Sequence, residues 1–547
     1  MTVREDSKEI HASVILDKIK EGLAVDCDGK EILGILDISQ LDLKKRHVFR
    51  FSDELEISGL KEDLTVITSP IKITNSELKG IIGFDNAIFE HGVNFNGSKF
   101  DEEADFTGSQ FIGTADFNGS QFNGSPSFRG AKLKIKDQTV QAQKILDTIE
   151  IGLGVCCDNV IIEGEMDLNR LKRVERKKGA IFGYFSFQHF YGRCNDGLKV
   201  INSWLEFKNT IFLERLDFSC CQFKKDIDFW ICTLKKDANF ERSLFCGNAQ
   251  LCRVNFQKYS IFSGSQFCKD AEFSGSIFSL GPKFDYVGFR SNSVFDRSEF
   301  KDDANFNVAS FNKQISFEYA KINAMGFDAK FNQDSTITLR ESEFRNLKIP
   351  WNLIKDRLVY SSTISSSEML IDDHAYLNLI KNYNEMGWFN DSDSCYVSLK
   401  KLLMKKDIDL LRRSYRKIRR ISEYNVSFSK KVYIFIKEIY NAIDILIRLI
   451  FYCISFAFYG HGVRLIIPVI FGACVIVGSA VLYTYGCQAS SFWPRGFIIS
   501  AKAFIGIAQL QSESLTGLCE YWSIIERFIG SILMVTFTLV LAKKLLR

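Results

Sequence analysis

The residues of this 547-residue chain that could hold a metal or attack a bond are its fifteen cysteines, six histidines and 66 acidic side chains. Metal binding needs several of them at a spacing that one turn or one helix face brings together. His11, His47, His91, His189, His374 and His461 lie far apart and form no HExxH pair. The cysteines are adjacent only at Cys156/Cys157 and Cys220/Cys221, and there is no CxxC. In a reducing cytosol most of them read as small buried apolar residues. Neither a nucleophile elbow nor a phosphate loop is present. The chain reads as no enzyme, with no metal and no cofactor.

The elements come next. Phe is the outlier, at 49 against 18 Tyr, 6 Trp and 6 Pro. In a first block the apolar positions are Phe84, Phe89, Phe95, Phe100, Phe106, Phe111, Phe117, Phe122, Phe128 and Leu133. A second block runs in the same alternation of five and six from Phe207 to Phe317 and Ile322, with Leu234 and Leu251 the only substitutes for Phe before Ile322. Steps of five and six smear side chains around a helix, but they place one large residue per face of a coil with short straight sides. Two residues earlier sits a small one, as at Ala104, Ser109, Ala115, Ser120, Ala271 and Ser276; Gly often follows two residues later, as at Gly97, Gly108, Gly264 and Gly275.

ADFTG at Ala104–Gly108, ADFNG at Ala115–Gly119 and AEFSG at Ala271–Gly275 resemble the pentapeptide-repeat family. That resemblance implies a mainly β fold, a right-handed quadrilateral β-helix. Four faces take about 22 residues per coil, and coils stack at roughly 4.8 Å. A duplication frames the blocks: Ile15–Ile19, Gly22, Val25, Cys27 and Gly34 recur as Ile145–Ile149, Gly152, Val155, Cys157 and Gly164. Each copy predicts a short amphipathic helix followed by irregular strands, and an open coil end needs a cap. The expected organisation is a cap at 1–72, repeats at 73–133, a second cap module at 134–203 and repeats at 204–348.

From Pro350 the period changes to a helical linker over 349–430. A hairpin of helices is expected at Asp373–Met386 and Asp391–Lys406, broken at Gly387-Trp388. Lys400–Arg420 holds ten Lys/Arg and two Asp, a juxtamembrane basic segment. Residues 431–462 are apolar but carry Lys437, Glu438, Asp444 and Arg448, which suits an interfacial helix. Two spans are expected within 463–547, at about 465–485 and about 522–541, with a re-entrant segment at about 495–511. Basic residues flank the outer ends of the two spans, which puts both termini in the cytoplasm of a multi-pass protein of the cell membrane. The N-terminus, Met1–Ser13, is charged and lacks an apolar signal core.

This order of span, short helix and span is similar to the two-transmembrane potassium-channel pore. The resemblance aligns a filter on Phe504, Ile505, Gly506, Ile507, Ala508 and Gln509, of which only Gly506 and one Ile match the family pattern. It also implies an inner-helix hinge at Gly530, preceded by Glu526, and an extracellular disulfide between Cys487 and Cys519. Phe504, Ala508 and Gln509 replace a Thr, a Gly and an Asp, which predicts weak potassium selectivity. The expected function is a homo-oligomeric, tetrameric cation pore in the lipid bilayer. Its β-helix would act as sensor or scaffold for an unknown cytoplasmic protein or ligand. The alternative is a non-conducting, membrane-anchored scaffold. Nucleic acid is excluded as a partner: Trp204–Leu347 carries 19 basic and 19 acidic residues, so the rod does not mimic DNA.

Overall fold

The computed structural model describes residues 8–48, 59–123, 126–136, 138–172, 174, 176–177, 197–359, 373–421, 428–463, 466–486, 493–507 and 518–545. The chain divides into a β unit, 1–349 with 356–361, and a helical unit, 350–355 with 362–547.

The β unit is a solenoid of about 14 turns. Strands of two to seven residues pair in parallel with the strand one turn away, as Phe100 with Phe122 and Phe256 with Phe278. Every Phe named in the two blocks is fully buried, except Phe117, Phe122 and Phe128 near the end of the first block. Phe273 illustrates the lumen. It stacks on Phe295 at 4.8 Å and meets Phe262 and Phe284 edge-on at 5.4 and 5.5 Å. Its neighbour on the other side is Leu251, not a second Phe.

The small residues do more than leave room. The buried hydroxyls of Ser109, Ser120, Ser243, Ser265 and Ser276 each donate to the carbonyl of the lumen residue 25 positions earlier. They stitch successive turns from inside, where an unmade hydrogen bond is costly. The corners two residues after alternate lumen positions are left-handed at Gly97, Gly108, Gly119, Gly264 and Gly275. They are equally left-handed at Ile231, Arg242, Arg253, Tyr286, Arg297 and Val308.

The two blocks form one ladder. A 13-stranded sheet runs from Lys45–His47 through both blocks to Ile337–Thr338. The other three faces of the first block end at Gln121–Phe122, Ala115–Asp116 and Ala104–Asp105, and three new sheets begin at Thr139–Gln141, Met166–Asp167 and Arg176–Lys177. The duplication is structural. Helix α1 (Ala12–Lys20) and helix α2 (Ala142–Glu150) each follow a three-residue strand, and each copy ends in a 3-10 turn capped by an aspartate, Asp37 or Asp167. The first copy supplies the terminal strand of three sheets, and Lys45–His47 just after it supplies that of the fourth. The second does not close the rod, contrary to a capping role at an open end. Instead α2 lies against Thr139–Gln141 and Met166–Asp167 of two restarting faces and against Gly154–Asp158 of the continuous face, with Ile145, Leu146 and Ile149 buried. The copies differ by one face: Val25–Asp28 joins a four-stranded sheet, but Gly154–Asp158 joins the 13-stranded one.

Most cysteines of the solenoid are free and buried or partly buried, and burial pushes the Cys156 thiol up to about 11 and Cys252 up to about 12. Cys220 departs from the expectation, being disulfide-bonded.

The helical unit comprises α3 (Trp351–Ile354), α4 (Asp373–Glu385), α5 (Phe389–Arg419), α6 (Phe428–Val463), α7 (Ile466–Val481), α8 (Trp493–Ile505) and α9 (Leu518–Leu545). The helical break falls at Gly387, whose φ is +75°. The basic segment is the second half of α5.

Candidate membrane site at the junction of α7, α8 and α9

Three helical stretches among the described residues are long and apolar enough to cross a membrane: Phe428–Phe456, Ile466–Tyr485 and Leu518–Leu545. The expectation was two, with 431–462 lying in the interface. By length and composition alone α6 qualifies. Its partners include charged groups of α5. Lys417 of α5 meets Glu438 at 3.1 Å, Arg448 meets Asp407 at 3.5 Å, and the Lys400 ammonium lies over the Tyr452 ring. The charged helix α5 thus runs antiparallel along α6 from 438 to 452.

Helix α8 has 13 residues, about 20 Å at 1.5 Å per residue, against an apolar bilayer core of about 30 Å. Two glycines let it pack closely between α7 and α9. A side chain at Gly496 would strike Thr484 Oγ1 at 2.1 Å and the Ala480 carbonyl at 2.8 Å. One at Gly530 would strike the Phe504 carbonyl at 2.0 Å. A third glycine, Gly472 of α7, faces the Phe504 ring, whose Cζ would lie 3.1 Å from an added Cβ. Gly530 stands 12 residues after Leu518 and 15 before Leu545, so α8 ends at the middle of α9.

At the same junction Glu526 is fully buried. Tyr483 Oη donates to its Oε2 at 2.8 Å, and Ser500 Oγ lies against its Oε1. Trp522 Nε1 donates to Ser479 Oγ at 3.0 Å. Glu526 has no ion pair among the described residues. A carboxyl buried among hydroxyls ties the three helices together without a fixed cation.

Phe504 and Gly530, both named from the sequence, do meet. Their contact is packing, however, with Phe504 inside helix α8 and nearly buried. Ile505 closes α8 and is exposed. Gly506 has φ +82°; its N–H donates to the Ala503 carbonyl at 3.1 Å, and the Ile507 N–H donates to Lys502 at 3.0 Å. These two bonds are a helix-terminating Schellman pair, which accounts for the glycine without a filter. Ala508, Gln509 and Cys487 lie outside the described residues. Cys519 is disulfide-bonded. Sequence reasoning missed Ser500, Tyr483 and Gly496, whose only signal is a small or polar residue in an apolar helix.

Residues 84–132 match the pentapeptide-repeat family in nine copies. This stretch is a run of pentapeptide repeats. No curated protein and no solved structure matches the chain. The same 22-residue register continues through 204–322, beyond the residues that match the family.

Proposed function

We propose that the protein is an integral membrane protein whose helical unit assembles from several copies into a cation-conducting pore, with the repeat solenoid as its cytoplasmic scaffold or sensing arm. The observation that carries this reading is a helix too short to cross, α8, wedged by Gly496 and Gly530 and ending halfway along α9. Backbone that ends at membrane depth is tolerated where it is buried in protein or faces a water-filled cavity. One short helix cannot enclose a path, so several copies must share an axis. Four copies is the number that the likeness to two-transmembrane potassium channels implies.

Only α7 and α9 cross in this reading. Helix α6 stays in the interface, because the hydrocarbon core would not admit its charged neighbour α5. Lys544 lies 3.9 Å from Asp393 of α5, and in this reading the end of α9 shares the side of the membrane with that charged helix. Any constriction would begin after Gly506. No catalytic role is assigned. The test is cation flux through liposomes carrying the purified protein. Potassium and sodium should pass above the leak of empty vesicles, and chloride should not. Absence of flux at every protein density would leave an anchored scaffold in place of a pore.

A further inference from the structure

A cavity of about 330 Å³ lies in the solenoid where the first block meets α2. Its floor is the strand Ala115–Asp116, the last of its four-stranded sheet. One turn earlier, the Val93 and Phe95 N–H groups donate to the Thr114 and Asp116 carbonyls at 2.9 and 2.7 Å. Ala115 and Phe117 are the same positions one turn on, so their N–H groups point to a rung that α2 has displaced. Neither donates to any described group. Both residues are more than nine-tenths buried. Buried backbone donors without acceptors are rare and costly, so the floor calls for acceptor atoms.

The roof supplies charge. Lys144 and Asp147 of α2 line the cavity, and the Lys144 ammonium has no ion-pair partner among the described residues. Asp116 lines it from below, while Val93 and Ile151 give it apolar wall. The duplicated module offers an internal comparison. Asp147 corresponds to Asp17 in α1, but Lys144 corresponds to Val14. Helix α1 has no repeat block before it in the chain. The cation that lines this cavity is therefore particular to the second copy.

We propose that this cavity binds a small zwitterion of the free α-amino acid class. The carboxylate would take the two orphan N–H groups and Lys144; the ammonium would face Asp116 and Asp147; a neutral side chain would lie on Val93 and Ile151. The volume suits a ligand of that size, at the small end of ordinary binding pockets. The site is independent of the membrane reading.

Full-length protein in detergent is titrated by calorimetry with L-leucine, L-alanine and L-glutamine separately, and with sodium acetate and methylammonium chloride as single-charge controls. At least one amino acid should bind saturably and the controls should not. Lys144→Val, the residue that α1 carries at the matching place, and Asp147→Asn should each weaken binding at least tenfold while the thermal midpoint of the unliganded protein stays within a few degrees. Failure of all three amino acids to bind, equal binding of acetate, or undiminished binding in both variants would overturn the proposal.

Discussion

Ile231 and Val308 hold φ of +58° and +60°, where a β-branched side chain is least welcome. A left-handed residue of this kind costs about 1–2 kcal/mol, and glycine gives back roughly 0.5–1 of that in unfolded-chain entropy. Ile231→Gly should therefore stabilise the solenoid by up to about 1 kcal/mol, read as a higher urea midpoint. Gly264→Ala, at the equivalent corner, should lower it. Ser276→Ala should cost about 1–3 kcal/mol, because it strands the Leu251 carbonyl and the Val254 N–H inside the rod. Asp228 gives a pH signature. Burial, then the neighbouring Glu206, pushes its carboxyl up to about 6, and its Oδ1 is buried without a hydrogen bond. The folded state then binds a proton more tightly than the unfolded chain does. Stability from this group is present at low pH and is lost as pH rises from the usual carboxylate range through about 6. Unfolding midpoints between pH 4 and 7 should fall more steeply in the native protein than in Asp228→Asn. Equal slopes would remove Asp228 from the account. The lumen was legible in the sequence because one residue type repeats at one spacing. The corners were not, because Ile, Arg, Tyr and Val occupy a conformation that only glycine signals.

At the scale of elements, helices were easier to place than their roles. Gly387 and the α4–α5 break were readable, as was the apolar run that became α7. The depth of α8 was not, because it depends on single glycines meeting backbone. Gly530→Ala puts a Cβ against the Phe504 carbonyl and should displace α8, with loss of flux and a thermal midpoint several degrees lower. Gly478→Ala is the control, since the space beside Gly478 is open, and it should change neither. The filter alignment invites Phe504→Thr as a gain of selectivity. Packing against Gly472 predicts instead a cavity and a loss of about 3 kcal/mol, with no gain. The same alignment treated Gly506 as a filter residue, whereas two backbone bonds explain it as a helix end. A glycine after an apolar helix carries both meanings in one dimension.

For the whole molecule, the duplicated modules were legible as repeats but not as neighbours. Only three-dimensional pairing reveals that one face of the rod is continuous while three restart around α2. In the proposed reading two helices cross, because the charged partners of α6 lie on another helix, α5. Two crossings place both termini on one side, so tags at the two ends should be equally protected from protease in sealed inside-in cells; opposite protection would mean that α6 crosses. The central claim is conduction. It is tested most directly by the reversal potential of purified protein in a planar bilayer with potassium on one side and sodium on the other. The account predicts cation current reversing near zero, because the segment aligned with a filter has Ala508 in place of the second glycine and Phe504 in place of the threonine of selective carbonyl rings. A silent bilayer, or a reversal far from zero toward strong potassium preference, would contradict it.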